Sequence, residues 1–182
     1  MIEKPLGHPV IRSSGHPTII LGIDPGLQRT GWGVISSRSN QLSFIACGTI
    51  RSDNDFSLAE RIKQLHDGLQ EVITLHRPQE AAVEETFVNV SGSSTLKLGQ
   101  ARGGILLTLS LSGLAVCEYS ANMVKKSVVG AGHADKKQVS MMVKMLLPTS
   151  DAKQADAADA LAVAICHAHH RTVHNLKAKV FT

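Results

Sequence analysis

The stretch IILGIDPGLQRTGWGVI, Ile19 to Ile35, decides how this chain folds. Ile19, Ile20, Leu21 and Ile23 form a short β-branched run bounded by punctuation, the pattern of a buried strand. Asp24 closes that run. Pro25-Gly26 then forces a turn, because proline fixes φ and glycine accepts φ > 0. Gly31 to Arg38 reads as a second strand and Leu42 to Arg51 as a third. Short connections, Pro25 to Thr30 and Ser39 to Gln41, make the three antiparallel neighbours. A carboxylate at the mouth of a central strand suits metal or phosphate chemistry. It equally suits a plain D-P-G turn, so partners elsewhere in the chain must decide.

Outward from this hairpin the pattern alternates helix and strand. Ser57 caps a helix, with Glu60 completing a capping box. Leu58, Ile62, Leu65, Leu69, Val72 and Leu75 recur at helical spacing up to His76, and Pro78 ends the element. Ala81 to Glu84 is a short buried strand, the return leg of a β-helix-β crossover. Phe87 to Ser94 reads as a loop. A long helix follows from about Ser94 to Ser112, then a strand from Leu114 to Glu118. Ala121 to Val128 is helical, and Gly130 to Gly132 breaks the chain. Asp135 opens a helix whose Val139, Met142, Val143 and Leu146 share an apolar face. A last helix runs from Gln154 to His170. No repeat and no interdomain linker interrupts this order. It predicts an α/β layered domain with a mixed sheet over residues 18–170, a mobile extension over 1–17 and a basic, fraying tail over 171–182.

With 182 residues, 43% hydrophobic, the chain can bury one substantial core. A net charge of +4 is compatible with nucleic acid without requiring it. Cys47, Cys117 and Cys166 are odd in number, lie in apolar runs and lack zinc-ligand spacing, which argues for free thiols in a reducing compartment. His167, His169 and His170 read as a solvated helix end. The N-terminus has no apolar core of a secretory signal. Gly103 to Cys117, the most apolar later segment, is shorter than the roughly 20 residues of a membrane helix.

Two further signals supply partners for Asp24. In QADAADALAVAI, Asp156 and Asp159 are three residues apart and share a helix face, while Ala158, Leu161, Ala162 and Ile165 lie on another. Alanines around the acids allow close approach. Asp156 alone also fits the favourable charge of a helix N-terminus. Glu84 ends a buried strand as Asp24 does, where an acid needs a partner. Its neighbour Glu85 would point to the opposite face, and the pattern leaves open which of the two joins Asp24. Four such carboxylates repel one another without a cation. Oxygen-only ligands match Mg²⁺ or Mn²⁺, and two such ions ~4 Å apart can clamp a phosphodiester and activate water.

Basic residues lie near these acids in sequence. They are Lys97 and Arg102 in LKLGQARG, Lys125 and Lys126, and Lys136, Lys137 and Lys144. They can neutralise backbone phosphates or simply face solvent. Phe87, an aromatic in a Ser/Asn-rich loop just after Glu84, can stack on or wedge between bases, or anchor its loop to the core.

GIDPG at Gly22 to Gly26, AVEETF at Ala82 to Phe87, LKLGQARG at Leu96 to Gly103, VVGAGHADKKQV at Val128 to Val139 and QADAADALAVAI at Gln154 to Ile165 resemble, in order, the bacterial RuvC family of crossover junction endodeoxyribonucleases. The resemblance implies an RNase H-like fold, a two-fold symmetric homodimer and Mg²⁺-dependent paired nicking of four-way (Holliday) DNA junctions in recombination and repair. It implies two ions per subunit, work alongside the branch-migration proteins RuvA and RuvB, and a bacterial cytoplasmic setting. It makes Asp24, Glu84, Asp156 and Asp159 the catalytic acids, favouring Glu84 over Glu85. Phe87 would act at the exchange point, and Lys125 and Lys136 would handle phosphate near the site. The helix from Ser94 would contribute to the dimer surface. The first 17 residues extend beyond the family's usual start, and VNVSGS, Val88 to Ser93, diverges from its pattern.

Three rivals remain for the structure to weigh. A sugar-kinase-type phosphotransferase needs a second phosphate loop and a longer chain. An RNase H-like enzyme acting on RNA shares the acids but not LKLGQARG. A catalytically silent junction-binding module has no use for four acids that repel DNA.

Overall fold

The computed structural model describes residues 16–85, 92–152 and 154–180, with side chains through Arg171. The elements in chain order are β1 (Thr18–Asp24), β2 (Arg29–Arg38), β3 (Gln41–Arg51), α1 (Leu58–His76), β4 (Glu80–Glu84), α2 (Gly92–Leu111), β5 (Ala115–Tyr119), α3 (Ala121–Val129), α4 (Lys136–Leu146) and α5 (Ala155–Val180). The strands form one sheet in the order β3-β2-β1-β4-β5. β1, β2 and β3 pair antiparallel, whereas β4 joins β1, and β5 joins β4, in parallel. The mixed sheet and the crossover through α1 are those the sequence predicts.

Alternation along β1 divides the core in two. Leu21 and Ile23 face a layer that includes Leu69 and Val72 of α1 and Ile105 and Leu109 of α2. Ile20, Ile35 and Ala82 face α5, with Val124 and Val128 of α3 and Val139 and Val143 of α4 completing that side. The predicted capping box is present at α1, where Glu60 N–H donates to the Ser57 hydroxyl and Ser57 N–H to the Glu60 carboxylate. Asp135 and Gln138 make a second one at α4. Gly130, at φ 87°, ends α3 in the left-handed conformation and donates its N–H to the Lys126 carbonyl.

Helix α5 lies on the sheet at backbone contact. A Cβ on Gly22 would meet the Ala164 amide nitrogen at 2.6 Å, and one on Gly33 the Leu161 side chain at 2.7 Å. One on Gly31 would overlap the carbonyl of Asp156 itself. These glycines of β1 and β2, with Ala160, Ala162 and Ala164 on the helix, remove the side chains that would hold the layers apart.

Three readings of the sequence change here. The turn after Asp24 is tighter than predicted, because β2 begins at Arg29. The Thr30 hydroxyl donates to the Gly26 carbonyl at 2.7 Å and closes it. Gly26 does not adopt positive φ; it is required because a Cβ would collide with the Arg29 carbonyl. The expected tail is helical instead: α5 continues past His170 to Val180, since residues 171–180 contain no glycine or proline to stop it. Residues 1–15 of the expected extension, and 181–182, lie outside the described residues.

Gly31→Ala should lower stability by about 1–3 kcal/mol through overpacking against rigid backbone, read as a drop in the urea midpoint. An unchanged midpoint would contradict the close approach of α5.

Candidate active site

Register brings the acids together. Ala82 pairs beside Gly22, so Glu84 and Asp24, two residues further along their parallel strands, emerge on the same face. That face is the one α5 covers. The first turns of α5 carry Asp156 and Asp159, and the Gly31–Asp156 contact seats them at the strand ends. Glu84 rather than Glu85 therefore stands with Asp24. One pocket of about 230 Å³ is lined by Asp24, Glu84, Asp159, Lys125 and Lys136, with Ala121, Val124, Val139 and Ala162 as its apolar wall. Asp156 sits at the rim of this group, close enough that its charge acts on Asp24.

Crowding shows in the proton affinities. Burial, then the carboxylates of Glu84, Asp159 and Asp156, push Asp24 up to about 7. Burial, then Asp159, does the same to Glu84, while Lys136 and Lys125 oppose it. Lys136 Nζ donates to Asp159 Oδ2 at 3.3 Å, and Asp159 raises the lysine's proton affinity in return. One ammonium thus partly offsets several carboxylates. Among the described residues no three acids, thiols or imidazoles already stand as a ligand cluster. The donor set is nonetheless right for a hard divalent cation: carboxylate oxygens from a strand pair and a helix, with negative charge in excess of the cations present.

The other candidates separate. Lys125 and Lys136 line the acid pocket. Lys136 and Lys137 also line an adjacent groove with Lys144 and exposed Met141 and Met145. Lys126 faces a different hollow, with His133 and His170. Lys97 is exposed on α2 and is not brought to the acids. Arg102 is engaged within the fold: it pairs with Glu118 of β5, and its Nε donates to the Glu84 carbonyl at 3.4 Å. Phe87 lies outside the described residues, as do Val88 to Ser91 of the divergent loop.

The sequence model described as "Crossover junction endodeoxyribonuclease RuvC" matches residues 20–167, a span that contains all four acids. The chain belongs to the RuvC family. It is 61% identical over 155 residues to the crossover junction endodeoxyribonuclease RuvC of Rhodopseudomonas palustris, covering 85% of this chain and 89% of the relative. Its structure resembles that of Thermus thermophilus RuvC in complex with Holliday junction substrate. That match has a TM-score of 0.80 at 30% identity, over 87% of this chain and 97% of the other. The yeast mitochondrial Holliday junction resolvase Ydc2 shares the fold, with a TM-score of 0.63 at 14% identity over 95% and 90% of the chains. The fold is RNase H-like.

The histidine cluster departs from a solvated helix end at one residue: His169 is exposed and His170 half-buried, whereas His167 is buried. It is 3% exposed, with Nε2 donating to Glu80 Oε2 at 2.9 Å and Nδ1 meeting the Tyr119 hydroxyl at 2.8 Å. Arg171 forks onto Glu80 at 2.7 and 3.0 Å. The strand expected from Ala81 begins one residue earlier, so Glu80 is an acid inside a buried strand and needs a partner as Glu84 does.

Asp24 and Glu84 hold their protons more tightly in the folded chain than unfolded, where carboxyls titrate near 4. The metal-free protein should therefore lose stability as pH rises from about 4 to about 7. Asp24→Asn should raise its melting point at pH 8 by about 2–4 °C for each kcal/mol of repulsion relieved. A lower melting point for this variant would show that the acids do not repel.

Proposed function

We propose that this chain is a structure-selective endonuclease that nicks four-way DNA junctions in recombination and repair. The observation that carries the reading is the convergence of Asp24, Glu84 and Asp159, from two parallel strands and a helix, in one pocket with Lys125 and Lys136. The family, and a relative solved with a Holliday junction, give the substrate class.

Asp24, Glu84, Asp156 and Asp159 are the catalytic acids, and together they would hold two Mg²⁺, with Mn²⁺ able to substitute. Bound there, the metal supplies a nucleophile at neutral pH and a countercharge for the leaving 3′ oxygen, so that the products are 5′-phosphate and 3′-hydroxyl ends. The residues prepare the rest. Burial keeps the carboxylates close and poorly solvated, so they bind a cation in preference to water. Lys136 pairs with Asp159 in the free protein and can turn to an incoming phosphate when that acid is otherwise engaged. Lys125, which with Lys136 opposes the upward push on Glu84, offers a second phosphate contact. Lys137, in the groove beside the pocket, and Lys126, in a separate hollow, are further candidate phosphate contacts, and Lys97 is one on α2 apart from the acids. Arg102, a further candidate phosphate contact, also steadies the end of β4 through the Glu84 carbonyl. Phe87, following that strand end in sequence, acts at the exchange point as the resemblance implies.

A symmetric homodimer suits paired nicks. α2 offers a surface for it: Leu96, Leu107 and Leu111 are exposed, and a Cβ on Gly99 or Gly103 would meet nothing, so another helix could approach closely. RuvA and RuvB are partners by family. Free cysteines fit a reducing bacterial cytoplasm, and among the described residues no helix is long and apolar enough to cross a membrane. The proposed nuclease domain spans residues 18–170, with α5 continuing beyond it to Val180.

Asp24→Asn should cut junction nicking about 1,000-fold or more, the consequence of losing several kcal/mol of metal-borne charge stabilisation. Junction binding should persist in gel-shift assays. Nicking at the unmodified rate in excess Mg²⁺ would remove Asp24 from the site. Lys136→Ala should slow nicking in the junction assay and lower the melting point of the metal-free protein at pH 8, since it removes an ammonium that offsets Asp24, Glu84 and Asp159.

A further inference from the structure

The network around Glu80 lies at the far end of the elements that carry the acids. Glu80 and His167 are each 3% exposed, and Arg171 donates to both Glu80 oxygens and to the Thr18 hydroxyl at 2.9 Å. Burial pushes Glu80 up, but the His167 and Arg171 hydrogen bonds outweigh it and bring the carboxyl to about 2. Burial also opposes charge on His167, yet hydrogen bonding to Cys117 and Glu80 raises its proton affinity. The groups facing one another are thus Glu80 of β4, His167 and Arg171 of α5, and Tyr119 and Cys117 of β5.

Distances along the chain match from this network to the acids. Glu80 to Glu84 is four strand residues, about 13 Å, and His167 to Asp159 is eight helical residues, about 12 Å. Thr18 to Asp24 is six strand residues, about 20 Å, and Arg171 to Asp156 is fifteen helical residues, about 22 Å. The strands and α5 run in opposite senses, so each strand is a rail of nearly the same length as the helical segment above it. Between the two ends, Gly22 lies under Ala160 and Ala164, Gly33 under the Leu161 side chain and Gly31 under the Asp156 carbonyl, contacts that are apolar or backbone and carry no charge pairing. A one-turn slip of α5 is about 5.4 Å, which would carry Asp159 out of reach of Glu84.

We infer that Glu80, His167 and Arg171 form a register pin that sets the axial position of α5 on β1 and β4, making them positioning residues for Asp156 and Asp159. A buried ion pair adds little net stability over apolar packing, and its best-attested use is to fix register. The forked Arg171–Glu80 contact is directional as well as charged, which a sliding interface lacks. The inference rests on the reading of the four acids as a metal-binding site.

The test titrates Mn²⁺ into the full chain by calorimetry and compares His167→Ala, Arg171→Ala, the conservative His167→Gln and Val72→Ala. The last weakens the opposite core layer and controls for lost stability. The pin predicts about tenfold weaker Mn²⁺ binding in the two disruptive variants, as for other residues that orient metal ligands. His167→Gln, which can still donate to Glu80, should recover most of it, and Val72→Ala should bind as the unmodified chain does. Equal affinity in all four, or equal loss with Val72→Ala, overturns the pin. Should the unmodified chain bind no Mn²⁺, the proposed function fails, and stability alone decides the pin. The gain in melting point from Asp24→Asn at pH 8 should then at least halve in the His167→Ala background, although distant substitutions normally add. A full gain there overturns it.

Discussion

Helix α5 can reach the active face only where the sheet presents no side chain to stop it. The Asp156 carbonyl occupies the space that a Cβ on Gly31 would need, and the Ala160 carbonyl does the same above Gly22. This contact determines the depth of the pocket, because Asp24 is the residue two beyond Gly22 in β1 and pairs with Gly31 in β2. Raising the helix by one methyl layer would separate the acids. Close approach therefore comes before electrostatics: packing between small residues forces together carboxylates that would otherwise stand apart.

The same helix and strand carry acids in two opposite electrostatic states. Glu84 is pushed up to about 7 by burial beside Asp159, while Glu80, four residues earlier on the same face, is brought down to about 2 by His167 and Arg171. Burial penalises both; the difference is whether cations are supplied. At Glu80 the fold supplies two partners from α5. At the pocket it supplies Lys136 and Lys125, fewer cations than acids. A site left short of positive charge is prepared for a metal ion from solution, whereas a satisfied one serves architecture.

Much of this was legible in the chain. Short connections and alternating hydrophobicity gave the antiparallel β1-β2-β3 unit, and Ser57 with Glu60 marked the start of α1, because these are local effects of backbone geometry. Five ordered motifs singled out the four acids. What remained hidden depends on contacts between distant residues. Glu84 could be separated from Glu85 by physics only once β4 was in register with β1. Gly26 suggested a positive φ, but its role is set by the Arg29 carbonyl across the turn. His167 looked polar and solvated because its partners, Glu80 and Tyr119, lie 87 and 48 residues away. The pairing of Arg102 with Glu118 of β5 was likewise hidden, because the two lie 16 residues apart on different elements. Residues beyond His170 looked like a tail on composition, although no residue there could break the helix.

The proposed activity of this pocket is metal-dependent cutting of DNA at a four-way junction. The most direct measurement incubates the protein with an end-labelled synthetic junction and Mg²⁺, beside a linear duplex of the same sequence and an EDTA control. Paired nicks at symmetric positions in the junction alone, absent with EDTA, are the expected result of this activity. Cutting of the linear duplex at the same rate, or binding without nicks in both Mg²⁺ and Mn²⁺, would contradict it.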